Sequence, residues 1–158
     1  MPIKAVVTGG LGFIGSHVAE LLASKGWSVL VIDDLSTGSR TNISDHITTL
    51  LADYRSDQAF EKIVAFQPDH FFHLAALPRI QPSFSDPLTH HDVNVRGVVM
   101  LLELCGTLNL KSFVYSSSAS VYGNPSNFPT SEDSDIGPLS PYALQKYSAE
   151  RYVQILGQ

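Results

Sequence analysis

The sequence has little cysteine, little positive charge and no long apolar segment, and each shortage excludes a class of protein. Cys105 is the only cysteine among 158 residues, so no disulfide can form within the chain. The 10 basic residues against 15 acidic residues give a net charge of −5 without a basic stripe, which argues against nucleic acid as a partner. The apolar runs are short and interrupted, so no membrane span is predicted.

The first residues also lack the zones of a secretory leader, because residues 1–4 lead directly into an apolar strand pattern. Together with the single cysteine, this favours the cytoplasm. Hydrophobic residues make up 44% and charged residues 16% of the chain, which is typical of a globular protein. The length suffices for one domain with a sizeable core.

Strand patterns and helical patterns alternate along the chain. Strands are predicted at 3–8, 28–32, 47–51, 70–74 and 112–116, and helices at 13–25, 57–66, 88–108 and 141–156. Polar or proline-rich stretches at 35–45, 78–87 and 123–138 are predicted to be loops. The alternation predicts an α/β fold of the Rossmann type: a doubly wound parallel sheet with strand order 3-2-1-4-5 and ligands at the carboxyl ends of the strands.

The turn after the first predicted strand contains Gly9, Gly12 and Gly15, spaced three residues apart. A strand-to-helix turn needs backbone freedom, and a pyrophosphate on the following helix needs backbone N–H groups within reach. The last glycine lets helix and strand approach closely. Glycine also serves ordinary turns, but a strand before and a helix after these glycines favour a dinucleotide phosphate site.

Asp33 lies at the end of the second predicted strand, where the ribose-binding acid of a dinucleotide site is expected. A carboxylate there accepts hydrogen bonds from the adenosine ribose and repels a 2′-phosphate, so NAD is predicted rather than NADP. Arg40 is the residue that could bind a 2′-phosphate. A solvated turn acid is the alternative interpretation of Asp33.

Tyr142 and Lys146 lie four residues apart on the last predicted helix and therefore share one face. An ammonium beside a phenol stabilises the phenolate, as does the nicotinamide of NAD, so the pKa of Tyr142 is expected below its ordinary value of about 10. Such a phenol can take a proton from a sugar hydroxyl while hydride leaves the same carbon. Ser118, just past the fifth predicted strand, is expected to hydrogen-bond the same hydroxyl. The spacing also occurs on surface helices, so this prediction depends on the dinucleotide site.

These motifs together resemble the extended short-chain dehydrogenase/reductase family, in its NAD-dependent epimerase/dehydratase branch. The matching segments occur in family order and cover nearly the whole chain. They are TGGLGFIGS at 8–16, VIDDLSTG at 31–38, Asp53-Tyr54, HLAA at 73–76, DVNVRG at 92–97, YSSSASVYG at 115–123 and SPYALQK at 140–146.

The resemblance implies a role for each matching position. The implied cofactor contacts are Gly9, Gly12, Phe13, Ile14 and Gly15 at the pyrophosphate, Asp33 and Asp34 at the adenosine ribose, Asp53 and Tyr54 at the adenine, and Leu74, Ala75 and Ala76 along the middle, with Asn94 and Ser116 nearby. The resemblance makes Ser118 the catalytic hydroxyl, Tyr142 the base and a cofactor contact at the nicotinamide, and Lys146 the modulator of that base and a ribose contact. It implies no metal.

Two positions separate the branches of the family. Related dehydratases have Asp-Glu directly after the catalytic hydroxyl, and decarboxylases tend to have Glu two positions on, whereas here Ala119 and Ser120 occupy these places. Without a carboxylate for elimination, the favoured function is a 4-epimerase for a UDP-hexose or UDP-N-acetylhexosamine, in which hydride leaves C4 and returns to its other face. A reductase or dehydratase of the branch and a non-catalytic NAD-binding module remain alternatives.

Family members continue past the Tyr/Lys helix into a further strand and a substrate domain, whereas this sequence ends at Gln158. We therefore expect residues 1–158 to form the NAD-binding domain without the C-terminal substrate domain, and to bind NAD weakly without full turnover. The helices at 88–108 and 141–156 resemble the dimer interface of the family, which implies a homodimer unless they only cover the sheet. His73 and Cys105 are expected to be structural.

Overall fold

The computed structural model describes residues 1–157 and divides into two compact units. The first, called the sheet unit, comprises Met1–Ala76 and Met100–Ser116. The second, called the helical unit, comprises Leu77–Val99 and the chain from Ser117 onward. All five predicted strands fall in the sheet unit, and the predicted Tyr/Lys helix falls in the helical unit.

Five parallel strands form the sheet, namely β1 (Lys4–Thr8), β2 (Ser28–Asp33), β3 (Thr48–Leu51), β4 (His70–His73) and β5 (Ser112–Tyr115). Their order is β3-β2-β1-β4-β5, which confirms the predicted order. In register, Thr8 aligns with both Ile32 and His73, and His73 aligns with Tyr115. The last residues of neighbouring strands therefore meet along one edge, where folds of this type bind ligands.

Helices α1 (Phe13–Ser24) and α2 (Asp57–Phe66) connect these strands and have clear boundaries. At the end of α1, Gly26 has φ of +79°, a left-handed conformation that glycine adopts without strain. At the start of α2, the hydroxyl of Ser56 accepts a hydrogen bond from the N–H of Ala59 at 3.2 Å. This cap satisfies one of the N–H groups that a helix leaves unpaired at its first turn.

Apolar side chains are buried on both faces of the sheet. One cluster is made by alternate residues of β1 and β2 with residues of the glycine turn, α1 and the approach to β3: Ala5, Val7, Leu11, Ala19, Leu22, Val29, Val31 and Ile47. Val6 and Leu30 point to the opposite face and are also fully buried. Burial of each large aliphatic side chain contributes about 1.5 to 3 kcal/mol, which explains why both strands are nearly continuous apolar runs.

The helical unit contains helices where a loop was predicted. Its elements are α3 (Ile80–Ser85), α4 (Pro87–His91) and α6 (Pro141–Leu156), while α5 (Gly97–Cys105) begins in this unit and continues into the sheet unit. The predicted loop over 78–87 is therefore wrong. Pro82 is the third residue of α3 and Pro87 the first of α4, positions whose N–H groups have no partner within a helix. Asp86 caps α4 by accepting a hydrogen bond from the N–H of Thr89 at 3.2 Å.

The predicted helix over 88–108 is helical from Pro87 to Cys105 but not uniform. Asp92–Arg96 form a π-helical turn between α4 and α5. Within this turn Asn94 is buried, and its side chain pairs with the backbone of Leu77. A π turn inserts a residue into a helix, often at a functional site, and hydrophobic periodicity does not predict it.

The loop predicted over 123–138 is confirmed, since no residue of this described stretch belongs to a helix or strand.

Cys105 is buried and its thiol pKa is raised to about 12 by desolvation, as expected of a structural cysteine. Within residues 1–157, the helices are too short or too polar to span a bilayer.

Candidate functional site

The glycine turn of the sheet unit is packed so closely that Gly9 admits no side chain. Gly9 has φ of +71°, and a Cβ there would lie 2.6 Å from the backbone nitrogen of Ala75. The N–H of Gly9 donates to the carbonyl of Ile32 at 2.8 Å, which fixes the turn against β2. The predicted need for backbone freedom at this position is confirmed.

Gly12 and Gly15 differ in what surrounds them. A Cβ at Gly15 would collide with the carbonyl oxygen of Gly9, whereas a Cβ at Gly12 would meet that oxygen at 3.3 Å. Gly12 is the N-cap of α1, which no described side chain caps, and the adjoining Phe13 and Ile14 are 81% and 60% exposed. The start of α1 is therefore an open set of backbone N–H groups, and it fits an anion such as a pyrophosphate.

Asp33 is only 8% exposed, and its carboxylate ties two segments of the sheet unit to β2. One oxygen accepts a hydrogen bond from the N–H of Leu11 at 3.0 Å, and the other accepts one from Leu35 at 2.8 Å. Because each oxygen of a carboxylate has two lone pairs, both can still accept a ribose hydroxyl. The sequence did not reveal this structural tie. The neighbouring Asp34 is exposed and accepts a hydrogen bond from the N–H of Ser36 at 2.9 Å.

Asp53 and Tyr54, predicted to flank adenine, follow β3. The carboxylate of Asp53 pairs with the guanidinium of Arg55 at 2.6 Å, and the hydrogen bonds from Arg55 hold the pKa of Asp53 below its ordinary value. Tyr54 is buried, with its ring edge-on to the ring of His73 at 4.9 Å between centroids. Both residues therefore have structural partners, and the contact with adenine stays a prediction.

The segment after β4 is held to β1 by its backbone and by His73. Nδ1 of His73 lies 2.7 Å from Oγ1 of Thr8, which agrees with the expected structural role of this histidine. The N–H of Leu74 donates to the carbonyl of Thr8 at 3.0 Å, and the N–H of Ser116 donates to the carbonyl of His73 at 3.1 Å. Leu74, Ala75 and Ala76 are half-buried, and their cofactor contacts, like that of Ser116, stay predictions.

In the helical unit, α6 brings Tyr142 and Lys146 onto one face, one turn apart. Both are buried, at 8% and 4% exposure. The helix begins where predicted, because the hydroxyl of Ser140 accepts a hydrogen bond from the N–H of Ala143 at 3.1 Å. The N–H of Tyr142 donates to the hydroxyl of the fully buried Ser83 at 3.1 Å, which anchors the first turn of α6 to α3.

Ser118 joins this pair. It caps a 3-10 turn over Ala119–Tyr122, and its hydroxyl accepts a hydrogen bond from the N–H of Ser120 at 3.2 Å. The same hydroxyl hydrogen-bonds the phenol of Tyr142. The structure therefore brings together the three residues that the sequence predicted as catalytic: Ser118, Tyr142 and Lys146.

The predicted direction of the Tyr142 pKa is wrong for this structure. Burial raises the pKa of Tyr142 above its ordinary value, and the hydrogen bond with Ser118 opposes this only in part. Burial likewise lowers the pKa of Lys146 to about 8, against the attraction of Glu150. Desolvation disfavours the charged form of both groups, and the four-residue spacing carries no information on burial.

Asn94, predicted to lie near the cofactor, is bonded to other parts of the helical unit. Its amide exchanges two hydrogen bonds with the backbone of Leu77, at 2.9 and 3.1 Å, and donates to the amide oxygen of Gln145 at 3.2 Å. Gln145 in turn donates to the carbonyl of Pro87 at 3.2 Å. Sequence reasoning missed Gln145 and Ser83. The sequence could have indicated Gln145, because it is a polar residue next to Lys146 on the predicted helix. No feature of the sequence indicated Ser83.

Comparisons with known proteins agree with this geometry. Residues 5–158 match the NAD dependent epimerase/dehydratase family. The UDP-glucose 4-epimerase of Mycolicibacterium smegmatis is 37% identical over 159 aligned positions, which cover 97% of this chain and 51% of the relative.

Two solved structures resemble the chain. The UDP-glucose 4-epimerase of Thermus thermophilus in complex with NAD has a TM-score of 0.91 at 35% identity, covering 99% of this chain and 51% of that chain. The UDP-N-acetylglucosamine 4-epimerase of Methanobrevibacter ruminantium in complex with UDP-N-acetylmuramic acid has a TM-score of 0.88 at 38% identity, covering 98% of this chain and 51% of that chain. The chain spans about half the length of the curated relatives that it matches.

The parallel sheet with its glycine turn, the acid that ends β2 and the Ser/Tyr/Lys cluster occur within one continuous family match. The family is NAD-dependent, in agreement with the predicted cofactor. This chain belongs to the NAD dependent epimerase/dehydratase family.

Proposed function

We propose that this chain contributes the cofactor-binding and proton-transferring residues of an NAD-dependent nucleotide-sugar 4-epimerase. The cluster in the helical unit carries the proposal: a buried Tyr142, a hydrogen bond between Ser118 and the phenol that lowers the pKa of Tyr142, and Lys146 one turn along the same helix. A phenol in such surroundings is suited to exchange a proton with a sugar hydroxyl.

The sheet unit has a set of groups that fits NAD. The open N–H groups of Phe13 and Ile14 at the start of α1 would hold the pyrophosphate, and the carboxylates of Asp33 and Asp34 would hold the adenosine ribose. Asp53 and Tyr54 would contact the adenine, and Leu74, Ala75 and Ala76 the middle of the cofactor. The negative charge of Asp33 favours NAD over NADP, since it would repel a 2′-phosphate.

Tyr142 is the base in this proposal. It takes the proton of the sugar O4 hydroxyl, and Ser118 hydrogen-bonds the same hydroxyl. NAD, when bound, would supply a reversible hydride acceptor for C4 of the sugar. Because burial raises the pKa of Tyr142, the phenolate depends on a nearby positive charge. In this proposal the ammonium of Lys146, one turn along α6, provides that charge. Once the sugar has turned over, Tyr142 returns the proton to O4.

The residues after Ser118 favour epimerisation over elimination. Ala119 has no functional group, and the hydroxyl of Ser120 lies 2.8 Å from that of Ser118. Neither residue has a carboxyl group that could protonate a leaving hydroxide. The relatives named above are 4-epimerases of UDP-glucose and of UDP-N-acetylglucosamine, which supports a UDP-hexose or a UDP-N-acetylhexosamine as the substrate.

Exposed apolar side chains on two helices of the helical unit support a homodimer. Leu88 on α4 is 82% exposed, and Leu144 and Ile155 on α6 are 54% and 61% exposed. A second copy of the chain would remove this surface from water.

The proposal is tested in a full-length protein that contains this chain, incubated with NAD and either UDP-glucose or UDP-N-acetylglucosamine, followed by NMR and mass analysis of the sugar. We expect the C4 epimer, of unchanged mass. Tyr142→Phe should lower its rate of formation by a factor of about 100 or more, because the variant cannot accept the O4 proton. The affinity for NAD, measured by calorimetry, should change little.

Other outcomes would replace the proposal. A product lighter by one water identifies a dehydratase, and net consumption of reduced cofactor identifies a reductase. Binding of NAD with no sugar product and no transient reduction of the bound cofactor would identify a binding module instead. Normal rates in Tyr142→Phe would remove this tyrosine from the role of base.

A further inference from the structure

A carboxylate lies one turn beyond Lys146 on α6. Glu150 follows Lys146 by four residues, the spacing at which side chains on one face of a helix meet. Lys146 is 4% exposed and Glu150 is half-buried, so both groups are partly or wholly withdrawn from water. Their mutual attraction is therefore less screened than that of an exposed ion pair.

Ser117 holds this carboxylate in place. Its hydroxyl donates to Oε2 of Glu150 at 2.6 Å, a short hydrogen bond of the kind that charged acceptors form. Ser117 immediately precedes Ser118, so one short segment hydrogen-bonds both the phenol of Tyr142 and the carboxylate of Glu150. This arrangement restricts the rotamers of Glu150 and keeps its charge near α6.

We propose that Glu150, held by Ser117, is the counter-charge that keeps Lys146 protonated, and so acts as a positioning residue for the proton chemistry at Tyr142. A buried ammonium is costly unless an opposite charge offsets the loss of water. Without Glu150, Lys146 loses its proton more readily. Tyr142 then no longer has a positive charge nearby. The consequence for Tyr142 rests on the proposed function, whereas the coupling between Glu150 and Lys146 does not.

Other groups near α6 are less suited to this role. The remaining titratable residues on the elements packed against α6 are His90 and His91 of α4, Asp92 and Arg96 of the π turn, and Tyr122 of the 3-10 turn. Asp92, the acid of this set, pairs with Arg96 at 2.9 Å, and both side chains are exposed. The pKa of Lys146 is about 8, where burial lowers it and Glu150 raises it.

The test is the titration of Lys146 in the full chain without substrate or cofactor, followed by NMR of carbon-13-labelled lysine side chains. Lys146→Arg identifies the signal. In the unaltered chain we expect a midpoint near pH 8. Glu150→Gln removes the charge and keeps an acceptor for Ser117, and it should lower the midpoint by about one pH unit. Glu150→Asp, which restores the charge, should recover part of this shift.

Glu61→Gln is the matched control, since Glu61 is an exposed glutamate on α2 of the sheet unit. It changes the net charge equally and should leave the midpoint of Lys146 in place. An unchanged midpoint in a folded Glu150→Gln protein, or an equal shift in Glu61→Gln, overturns the proposal.

If Glu150→Gln fails to fold, Ser117→Ala provides the second measurement. This variant keeps the carboxylate but removes the hydrogen bond that holds it, so a smaller fall of the Lys146 midpoint is expected. A midpoint equal to that of the unaltered chain would overturn the role of Ser117 and, with it, the proposal. Because no substrate is present, these results are independent of whether the protein is an epimerase.

Discussion

The predicted cofactor site of the sheet unit is made largely of backbone, whereas the candidate proton-transfer site of the helical unit is made of side chains. In the sheet unit, Gly9 and Gly12 shape the turn, and uncapped N–H groups of α1 remain open to a ligand. In the helical unit, the phenol of Tyr142 and the amine of Lys146 are buried, and their charges depend on neighbouring side chains.

The two kinds of site are expected to fail in different ways. A backbone site fails when added volume moves the chain, because its groups have no freedom to adjust. A side-chain site fails when a charge or a hydrogen-bond partner is lost, because the remaining polar groups are left without partners away from water. Substitutions in each unit can therefore show whether the two sites fail in these different ways.

The largest effect is expected at Gly9 in the sheet unit. Gly9→Val puts a β-branched residue at φ of +71° and a Cβ 2.6 Å from a backbone nitrogen, so we expect a loss of about 3 kcal/mol or more in the free energy of unfolding. Urea denaturation followed by circular dichroism measures this loss. Gly12→Ala is the control and should cost about 1 kcal/mol or less, while weakening NAD binding. Equal losses in both variants would contradict the assigned difference between the two glycines.

The next effect concerns Lys146 and pH. The pKa of this lysine is 10.5 in the unfolded chain and about 8 in the folded chain. Between these values the unfolded state binds more protons, so stability should rise with pH, by up to about 3 kcal/mol. The cost of burying the ammonium is fully present below pH 8 and disappears towards 10.5.

Lys146→Met measures this contribution, since it removes the titrating group and leaves the others. Urea denaturation at several pH values should give a smaller rise in stability for Lys146→Met than for the unaltered chain. Parallel curves for the two proteins would show that Lys146 is not buried as an ammonium. The site of the helical unit would then not depend on a buried charge at Lys146.

The smallest of the three effects is expected at Gln145. Gln145→Leu removes the partner of the buried amide of Asn94 and of the carbonyl of Pro87, and leaving such groups unpaired costs about 1 to 3 kcal/mol. Urea denaturation of the single variants and of Gln145→Leu with Asn94→Leu completes a double-mutant cycle. We expect the double variant to lose less than the sum of the single losses. Additive losses would mean that the two amides act independently.

The parallel sheet could be predicted because its causes are local. Strands are predicted by apolar runs such as those of β1 and β2, and their ends by the polar or glycine-rich segments that follow. The alternation of strands with helices then predicts the strand order. α6 was predicted with its observed bounds, Pro141–Leu156, since Ser140 and Pro141 signal its start. α3 was missed because its proline predicts a loop unless the helix position of that residue is known.

The candidate site could be predicted in composition but not in electrostatics. The sequence identified Ser118, Tyr142 and Lys146, and the structure brings them together. The sequence did not predict that burial raises the pKa of Tyr142 and lowers that of Lys146, because desolvation depends on neighbours distant in sequence. Ser117, 33 residues before Glu150, is another example of such a neighbour.

The fold class, the strand order, the position of the glycine turn and the identity of the three candidate catalytic residues could be derived from the amino-acid sequence alone. These follow from local periodicity and from residue types that a short segment requires. Three features became visible only in the folded chain: the π turn at Asn94, the hydrogen bond from the glycine turn to Asp33, and the opposing effects of burial and Glu150 on the pKa of Lys146. Each of these depends on which distant groups share a dry environment, and only packing establishes that.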